Sequence, residues 1–452
     1  MKKWEQLLQP ITFRNRTKAR EIDGRDPFEQ DYGRLISSSP IRRLQDKTQV
    51  FPLETSDYIR TRLTHSLEVS YIGGSIGKSI EKYLISKKEL HEDYKGQLSS
   101  LLRCSGLVHD LGNPPFGHFG ETAIKAYFKN YFNENNVKLS NEEKADFENF
   151  DGNVQTFRIL RKLHFFKDEY SFNLTFPTLA SIIKYPSNSL DGNLGKKTKE
   201  IRKKKYGYYC SEKSDYEIIN KELGLRNKRH PIVYLMEAAD DIAYCAADIE
   251  DGVKLGILNF ETLRKVFNEN LKSNRDLLPI LDKMHVDNDN KLSDRLSLTV
   301  QQFRVETQGR MIEGIVDCFK KNYSKVMDGE FEHELIDKSS GSDIRESFEA
   351  LQKVVFDNKK IMQTELAGWE IIYGLLEIFI PATESEDFKI GGNTKEARLF
   401  KNISSSYRYI YNEYNSYDNE AYNRIQLIVD FISGMTDTYA LNLYRKLKGI
   451  RL

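Results

Sequence analysis

The run VHDLGNPPFGHFGE, Val108 to Glu121, decides the reading of this chain. It holds an adjacent His109 and Asp110, a Gly112-Asn113-Pro114-Pro115 turn, and then His118 and Glu121, a density of hydrolytic side chains that packing alone does not require. Working outward, RTRLTHSLEVS (Arg60 to Ser70) supplies His65, and MEAADDIAY (Met236 to Tyr244) supplies the adjacent carboxylates Asp240 and Asp241. Imidazole and carboxylate together suit a divalent ion with positions left open for water and substrate, whereas thiolates suit a closed structural zinc. His65, His109, Asp110 and Asp240 are therefore expected to form an open, catalytic metal site. Consecutive residues diverge by about 100° on a regular helix, so His109 and Asp110 share one ion only where a helix ends, and the Gly/Pro turn supplies that end.

Around this run the patterning is helical. Apolar residues recur at three- and four-residue steps over Thr64 to Leu84, Gly120 to Tyr131, Val154 to Leu163, Ile232 to Ala247, Phe260 to Asn268, Arg345 to Val355, Thr364 to Phe379 and Glu420 to Leu447, and strand-like runs are few. An all-α fold follows. Asp240, Tyr244 and Asp248 fall at i, i+4 and i+8 and share one helical face, while Asp241 points about 100° away toward a neighbouring helix. This selects Asp240 over Asp241 as ligand. His118 and Glu121, at i and i+3, share a face if a helix begins near Gly117. The stretch LDGNLGKKTKEIRKKKYGYY (Leu190 to Tyr209) reads as an exposed basic loop, and His285 to Ser293 and Asp337 to Asp343 as surface loops.

With 68 Lys+Arg against 67 Asp+Glu in 452 residues, the net charge of +1 argues neither for nor against nucleic acid, so any basic surface is local. Cys104, Cys210, Cys245 and Cys318 lack CxxC spacing and are read as buried free thiols of a reducing compartment. No stretch is read as approaching the roughly 18 apolar residues of a membrane helix, and the expectation is a soluble, cytoplasmic protein without membrane contact.

Five words in order carry a resemblance: RRLQDKTQVFP (Arg42 to Pro52), RTRLTHSLEV (Arg60 to Val69), HDLGNPPFGHFGE, EAADDIAYCAADIEDG (Glu237 to Gly252) and FISGMTDTYALNLYRKL (Phe431 to Leu447). Together they resemble the bacterial deoxyguanosinetriphosphate triphosphohydrolases (dGTPases) of the HD phosphohydrolase superfamily, named for its H…HD…D metal set. The resemblance spans nearly the whole chain. It implies an all-α HD-domain helical bundle with additional C-terminal helices, one large domain over 1–452, with a metal-site core at about 55–255 and a C-terminal helical region at about 256–452 packed against it.

The reaction so implied is dNTP plus water to deoxynucleoside plus tripolyphosphate by attack at the α-phosphorus, with dGTP the leading substrate and the base preference open. By the same resemblance His118 and Glu121 are the catalytic pair, and Arg62 binds phosphate, for which a guanidinium is well shaped. Tyr244 stacks on the deoxyribose, Asp248 holds the 3′-OH, and Gln49 and Val50 lie beside sugar and base. Lys205 is the phosphate-binding lysine, with Lys203 and Lys204 as alternatives in register. Thr438 stands where the family usually has a basic residue. The implied cofactor is a divalent ion, Mg²⁺ or Mn²⁺ foremost, with Fe²⁺, Co²⁺ and Ni²⁺ open to the same ligands. The implied partners are a dNTP, further copies of the chain (often a hexamer), and a nucleotide or single-stranded DNA effector. Two other readings share the motif: an HD phosphomonoesterase or phosphodiesterase, and a nucleotide-regulated single-stranded DNA-binding protein without turnover, against which intact His118 and Glu121 argue.

Overall fold

Val69, Ile72, Ile76, Ile80 and Leu84 recur at helical spacing, and in the computed structural model all five face inward from one helix, Arg62–Ser86. The structure describes residues 3–14, 24–54, 56–288, 294–389 and 391–450. Each such side chain contributes roughly 1.5–3 kcal/mol on burial, so this stripe, more than intrinsic propensity, holds the helix in place. It lies along the Gln97–Val108 helix, and three glycines allow the backbones to approach. A Cβ on Gly73 would stand 3.2 Å from the Leu102 carbonyl oxygen, one on Gly77 2.8 Å from Ser99 Cα, and one on Gly106 2.7 Å from the Ser70 nitrogen. The Pro231–Lys254 helix packs against both members of this pair. Arg60 fastens the start of one helix to the end of the other by donating to Asp251 at 2.6 Å and Glu250 at 2.8 Å.

The C-terminal half adds further helices to this trio. Arg295–Lys321 and Ser342–Phe356 pack on Pro231–Lys254, and Lys359–Phe379 covers Gly117–Glu134. Gly368 of that covering helix receives the Phe116 ring, since a Cβ there would lie 2.4 Å from Phe116 Cγ. Asp437–Leu447 packs on Lys359–Phe379 in turn. The architecture is all-α. Among the described residues there is no strand, and one isolated bridge pairs Thr48 with Thr61. The buried apolar side chains form one hydrophobic cluster that runs from Trp4 to Leu443.

Several expectations need correction. The periodic run Glu420 to Leu447 is two helices, Glu420–Ser433 and Asp437–Leu447, because Gly434 caps the first and Thr436 caps the second by accepting from the Tyr439 nitrogen. The run Val154 to Leu163 is an α-helix, Gly152–Arg158, that widens into a π turn at Ile159–Leu163. The loop expected at His285 to Ser293 begins inside the Leu277–Asp287 helix, and residues 289–293 lie outside the described set. Asp337 belongs to a 3₁₀ turn and Asp343 to the Ser342–Phe356 helix, where its carboxylate accepts from the Lys272, Ser273 and Asn274 nitrogens. The basic stretch 190–209 is only partly exposed, for Ile201, Tyr206 and Tyr209 are buried in it. The Lys196 side chain lies outside the described set. Cys210 is half-buried, unlike the other three cysteines. By length and composition Lys359–Glu384 is apolar enough to cross a membrane, against expectation, yet its Ile371, Ile372, Leu375, Leu376 and Phe379 are buried within the fold. Periodicity also passed over Gln97–Val108, which from Leu98 onward is buried everywhere except Arg103 and so has no polar face to contrast.

A Gly106→Val variant places two methyl groups against the Ser70 backbone. We expect a loss at the upper end of the ~1–3 kcal/mol typical of overpacking, read as a lowered urea midpoint, together with a fall in bound metal because the same contact sets the His65 to His109 spacing. An unchanged midpoint would contradict this account of the helix pair.

Candidate active site and metal centre

His65 is in the first turn of Arg62–Ser86, where Thr61 caps the helix and its nitrogen donates to Thr64 Oγ1 at 3.0 Å. His109 is the C-cap of Gln97–Val108, and Asp110 follows it in a turn closed by Leu111 N to Val108 O at 3.0 Å. The helix ends between two would-be ligands, as the adjacency of His and Asp requires. Asp240 projects from the middle of Pro231–Lys254, and its Oδ1 lies 3.1 Å from His65 Nε2 and 3.4 Å from His109 Nε2. The donor atoms of His65, His109 and Asp110 all lie within 4.8 Å of one another. His109 Nδ1 meets the Gly106 carbonyl at 2.8 Å, which fixes the tautomer that turns the Nε2 lone pair toward this centre. His109 Nε2 is buried and has no hydrogen-bond partner among the described residues. An inward-facing imidazole nitrogen left open beside two carboxylates fits a divalent cation.

Electrostatics agree. Burial works against the Asp110 charge, yet His109 and the Arg62 guanidinium hold its carboxyl well below the usual carboxylate range. Burial opposes Asp240 likewise, and His109 with His65 holds it low. Asp241 behaves in the opposite way: burial pushes its carboxyl well up despite Arg345, whose guanidinium lies 3.5 Å away. Of the adjacent pair, Asp240 faces the histidines and Asp241 faces the Ser342–Phe356 helix.

His118 and Glu121 stand on the first turn of Gly117–Glu134, where Phe116 (φ 61°) and Gly117 (φ 57°) both take left-handed backbone to start the helix sharply after the prolines. The His118 side chain is 90% exposed, and its Nδ1 lies 3.6 Å from Glu121 Oε2. Glu121 is buried and accepts from the Gly152 nitrogen at 2.8 Å. Burial alone would raise its carboxyl, but His118, Lys205 and Lys125 bring it down to about 2, so it is a fixed anion beneath an open imidazole.

The remaining expected residues fall in three places. Arg62 is buried and pairs with Asp110; its Nε has no partner among the described residues, and its Nη2 is 3.0 Å from where a Cβ on Gly117 would stand. Tyr244 is partly buried against the core, and Asp248 accepts from Gln352 Nε2 at 2.8 Å, burial pushing its carboxyl up to about 8. Val50 is buried, and the Gln49 Oε1 beside it is buried without a hydrogen-bond partner among the described residues. In the basic stretch, Lys203 bonds to Glu200 at 2.8 Å, while Lys205 pairs with Asp151 and bears electrostatically on Glu121.

Sequence reasoning missed two lysines, the half-buried Lys184 and the buried Lys47. Lys184 Nζ lies 4.0 Å from Asp240 Oδ2. Lys47 Nζ donates to the Asn113 carbonyl at 2.5 Å and the Ser433 carbonyl at 2.9 Å, and burial, with Arg43 and Arg62 near, lowers it to about 7. A lysine closing the largely apolar run Leu179–Ile183 was the available signal for the first, and a place in RRLQDKTQVFP, two residues before Gln49, for the second.

With this geometry in hand, comparison with known proteins is informative. An HD domain matches residues 62–222 and a phosphohydrolase-associated domain residues 392–446. A deoxyguanosinetriphosphate triphosphohydrolase-like protein of Listeria innocua is 39% identical over 99% of this chain and 100% of its own length. The chain belongs to the dGTPase-like family of HD phosphohydrolases. A Listeria monocytogenes relative with the same description is also 39% identical, and one from Synechocystis 31%, each over 99% of this chain and its own full length. Since HD domains bind divalent metals, the family and the cluster of donor atoms point the same way.

Metal analysis of purified variants tests the two aspartates. Asp240→Asn should lose bound divalent metal, and Asp241→Asn should keep it, because Arg345 retains Glu334, Asp337 and Glu349 as partners. The reverse pattern would exchange their roles.

Proposed function

We propose that this HD phosphohydrolase is a dNTP triphosphohydrolase, releasing deoxynucleoside and tripolyphosphate, with dGTP as the leading substrate. The observation that carries the reading is one helix, Pro231–Lys254, along which Asp240 meets His65 and His109 and the buried Asp248 follows on the side turned to Ser342–Phe356, with Tyr244 between them in sequence. Eight residues of helix rise cover about 12 Å, the length scale of a nucleoside phosphate. His65, His109, Asp110 and Asp240 would hold the ion, Mg²⁺ or Mn²⁺. A bound divalent ion neutralises charge on an α-phosphate oxygen and favours in-line displacement.

The chain's own groups do the rest. Water bonds to the α-phosphorus, the bond from that phosphorus to the 5′-oxygen breaks, and His118 moves the proton at the water or at the leaving oxygen, with Glu121 as the anion that stabilises its charged form. Arg62 keeps an unpartnered Nε for phosphate, and Lys205 adds a second cation near Glu121. Asp248, with its carboxyl raised to about 8, is largely a neutral acid at pH 7 and so both donates to and accepts from a 3′-hydroxyl. Gln49 offers an open carbonyl oxygen beside Val50, where sugar and base would lie. The full-length relatives described as dGTPase-like support the same reading.

Incubating the protein with each dNTP and Mn²⁺ or Mg²⁺, with and without a second dNTP, and identifying products by phosphorus NMR decides it. Deoxynucleoside with intact tripolyphosphate is expected; monophosphate with pyrophosphate, or inertness under every condition, refutes the proposal. His118→Ala should keep its metal and lose most turnover, about 10²–10⁴-fold for a general acid or base. Arg62→Ala should chiefly raise KM, and unchanged saturation would remove it from the phosphate site.

A further inference from the structure

The word GMTDTYA, near the C-terminus, has no part in the chemistry above. The structure puts its aspartate at a junction. Asp437 is the first residue of the last helix and is 2% exposed. Its Oδ2 accepts from the Thr48 nitrogen at 3.0 Å and from the Thr48 hydroxyl, and its Oδ1 accepts from the Phe116 nitrogen at 3.0 Å. Thr48 immediately precedes Gln49 and Val50. Phe116 is the left-handed residue that launches the helix of His118 and Glu121.

The neighbouring contacts reinforce the junction, and Lys47 adds a second tie from the same segment to the catalytic turn by donating to the Asn113 carbonyl at 2.5 Å. Arg43 donates to the Gly434 carbonyl at 2.7 Å, Lys47 to the Ser433 carbonyl at 2.9 Å, and Thr438 to Asp46 at 2.8 Å. Thus the corner between the last two helices is laid residue by residue along Arg43 to Thr48. The same segment is bonded on its other side to the His65 helix, through Arg62 N to Lys47 O at 3.1 Å and the bridge of Thr48 to Thr61. Thr438 finds its partner in an acidic side chain, Asp46. Asp437 contributes the one side chain of this corner that accepts from both the Gln49–Val50 segment and the catalytic turn.

We propose that Asp437 is a positioning residue of the nucleotide site. Its carboxylate fixes the distance between the segment that meets sugar and base and the turn that presents His118, so that the α-phosphorus reaches His118 only when the nucleoside end is seated. A carboxylate suits the task because it accepts from three donors at once, and a backbone N–H bonded to a charged acceptor is held more firmly than one bonded to a neutral amide. The proposal rests on the triphosphohydrolase reading.

The test compares wild type, Asp437→Asn, Thr48→Val and the double variant on dATP, dGTP, dCTP and TTP, with bound metal and thermal midpoint measured alongside. Asp437→Asn should lose about tenfold in kcat/KM on the preferred dNTP, the change falling in KM, and should narrow the spread among the four substrates. Thr48→Val should move the same quantities less, and the double variant should be no worse than Asp437→Asn alone, since both remove one linkage. A fall in kcat equal for all four dNTPs, with KM and the spread unchanged, overturns the proposal and leaves Asp437 with a merely structural role. Full additivity of the two changes also overturns it. Should Asp437→Asn fail to fold, Thr48→Val decides: kinetics within twofold of wild type count against the linkage. A wild type inert on every dNTP refutes the function itself, an outcome distinct from any variant result.

Discussion

Two imidazoles, two carboxylates and a guanidinium are gathered where water is largely excluded, and the fold is arranged around making that tolerable. Isolated charges in such a place are costly, and each here has its compensation. Asp240 lies against both histidines, Asp110 against His109 and Arg62, and His109 is turned by the Gly106 carbonyl. These contacts join three helices at one point, which explains the glycines that bring Arg62–Ser86 and Gln97–Val108 close. Within the described residues, the buried atoms left without a hydrogen-bond partner include Arg62 Nε, His65 Nδ1 and His109 Nε2, and the last, within 4.8 Å of the His65 and Asp110 donor atoms, is the one a cation would complete.

Around that centre the C-terminal half supplies a second layer. Ser342–Phe356 sends Arg345 to Asp241 and Gln352 to Asp248, so two carboxylates that follow Asp240 on the same helix are held by one neighbour. Lys359–Phe379 seats Phe116 in the notch of Gly368, and the last helix bonds the Phe116 nitrogen through Asp437. The turn bearing His118 is thereby fixed from two directions, while the imidazole itself stays open. A rigid base under an exposed side chain is what a proton-transferring group needs when the substrate must approach from solvent.

Much of this was legible in the sequence. The helical period located most of the long helices, since amphipathic burial writes itself at three- and four-residue spacing; it passed over Gln97–Val108, buried on nearly every side, and Arg295–Lys321, and ran through the Gly434 corner because apolar residues continue on both sides of it. The choice of Asp240 over Asp241 came from helix geometry alone; Asp240 does meet the histidines, but Asp248, expected on its face, lies with Asp241 against Ser342–Phe356. The basic stretch was misjudged because composition counts lysines without showing that tyrosines between them are buried.

The sequence by itself determined the helical class, the family, and the residue types and local spacing of the site, because these follow from periodicity and from words a few residues long. Only the tertiary structure decided that Lys184 stands by Asp240, that Lys205 pairs with Asp151 while Lys203 pairs with Glu200, and that Asp437 bonds Thr48 and Phe116. The Asp437 contacts join residues more than 300 positions apart and Lys184 lies 56 from Asp240, and no local pattern records which distant partner a buried charge will find; packing alone assigns it.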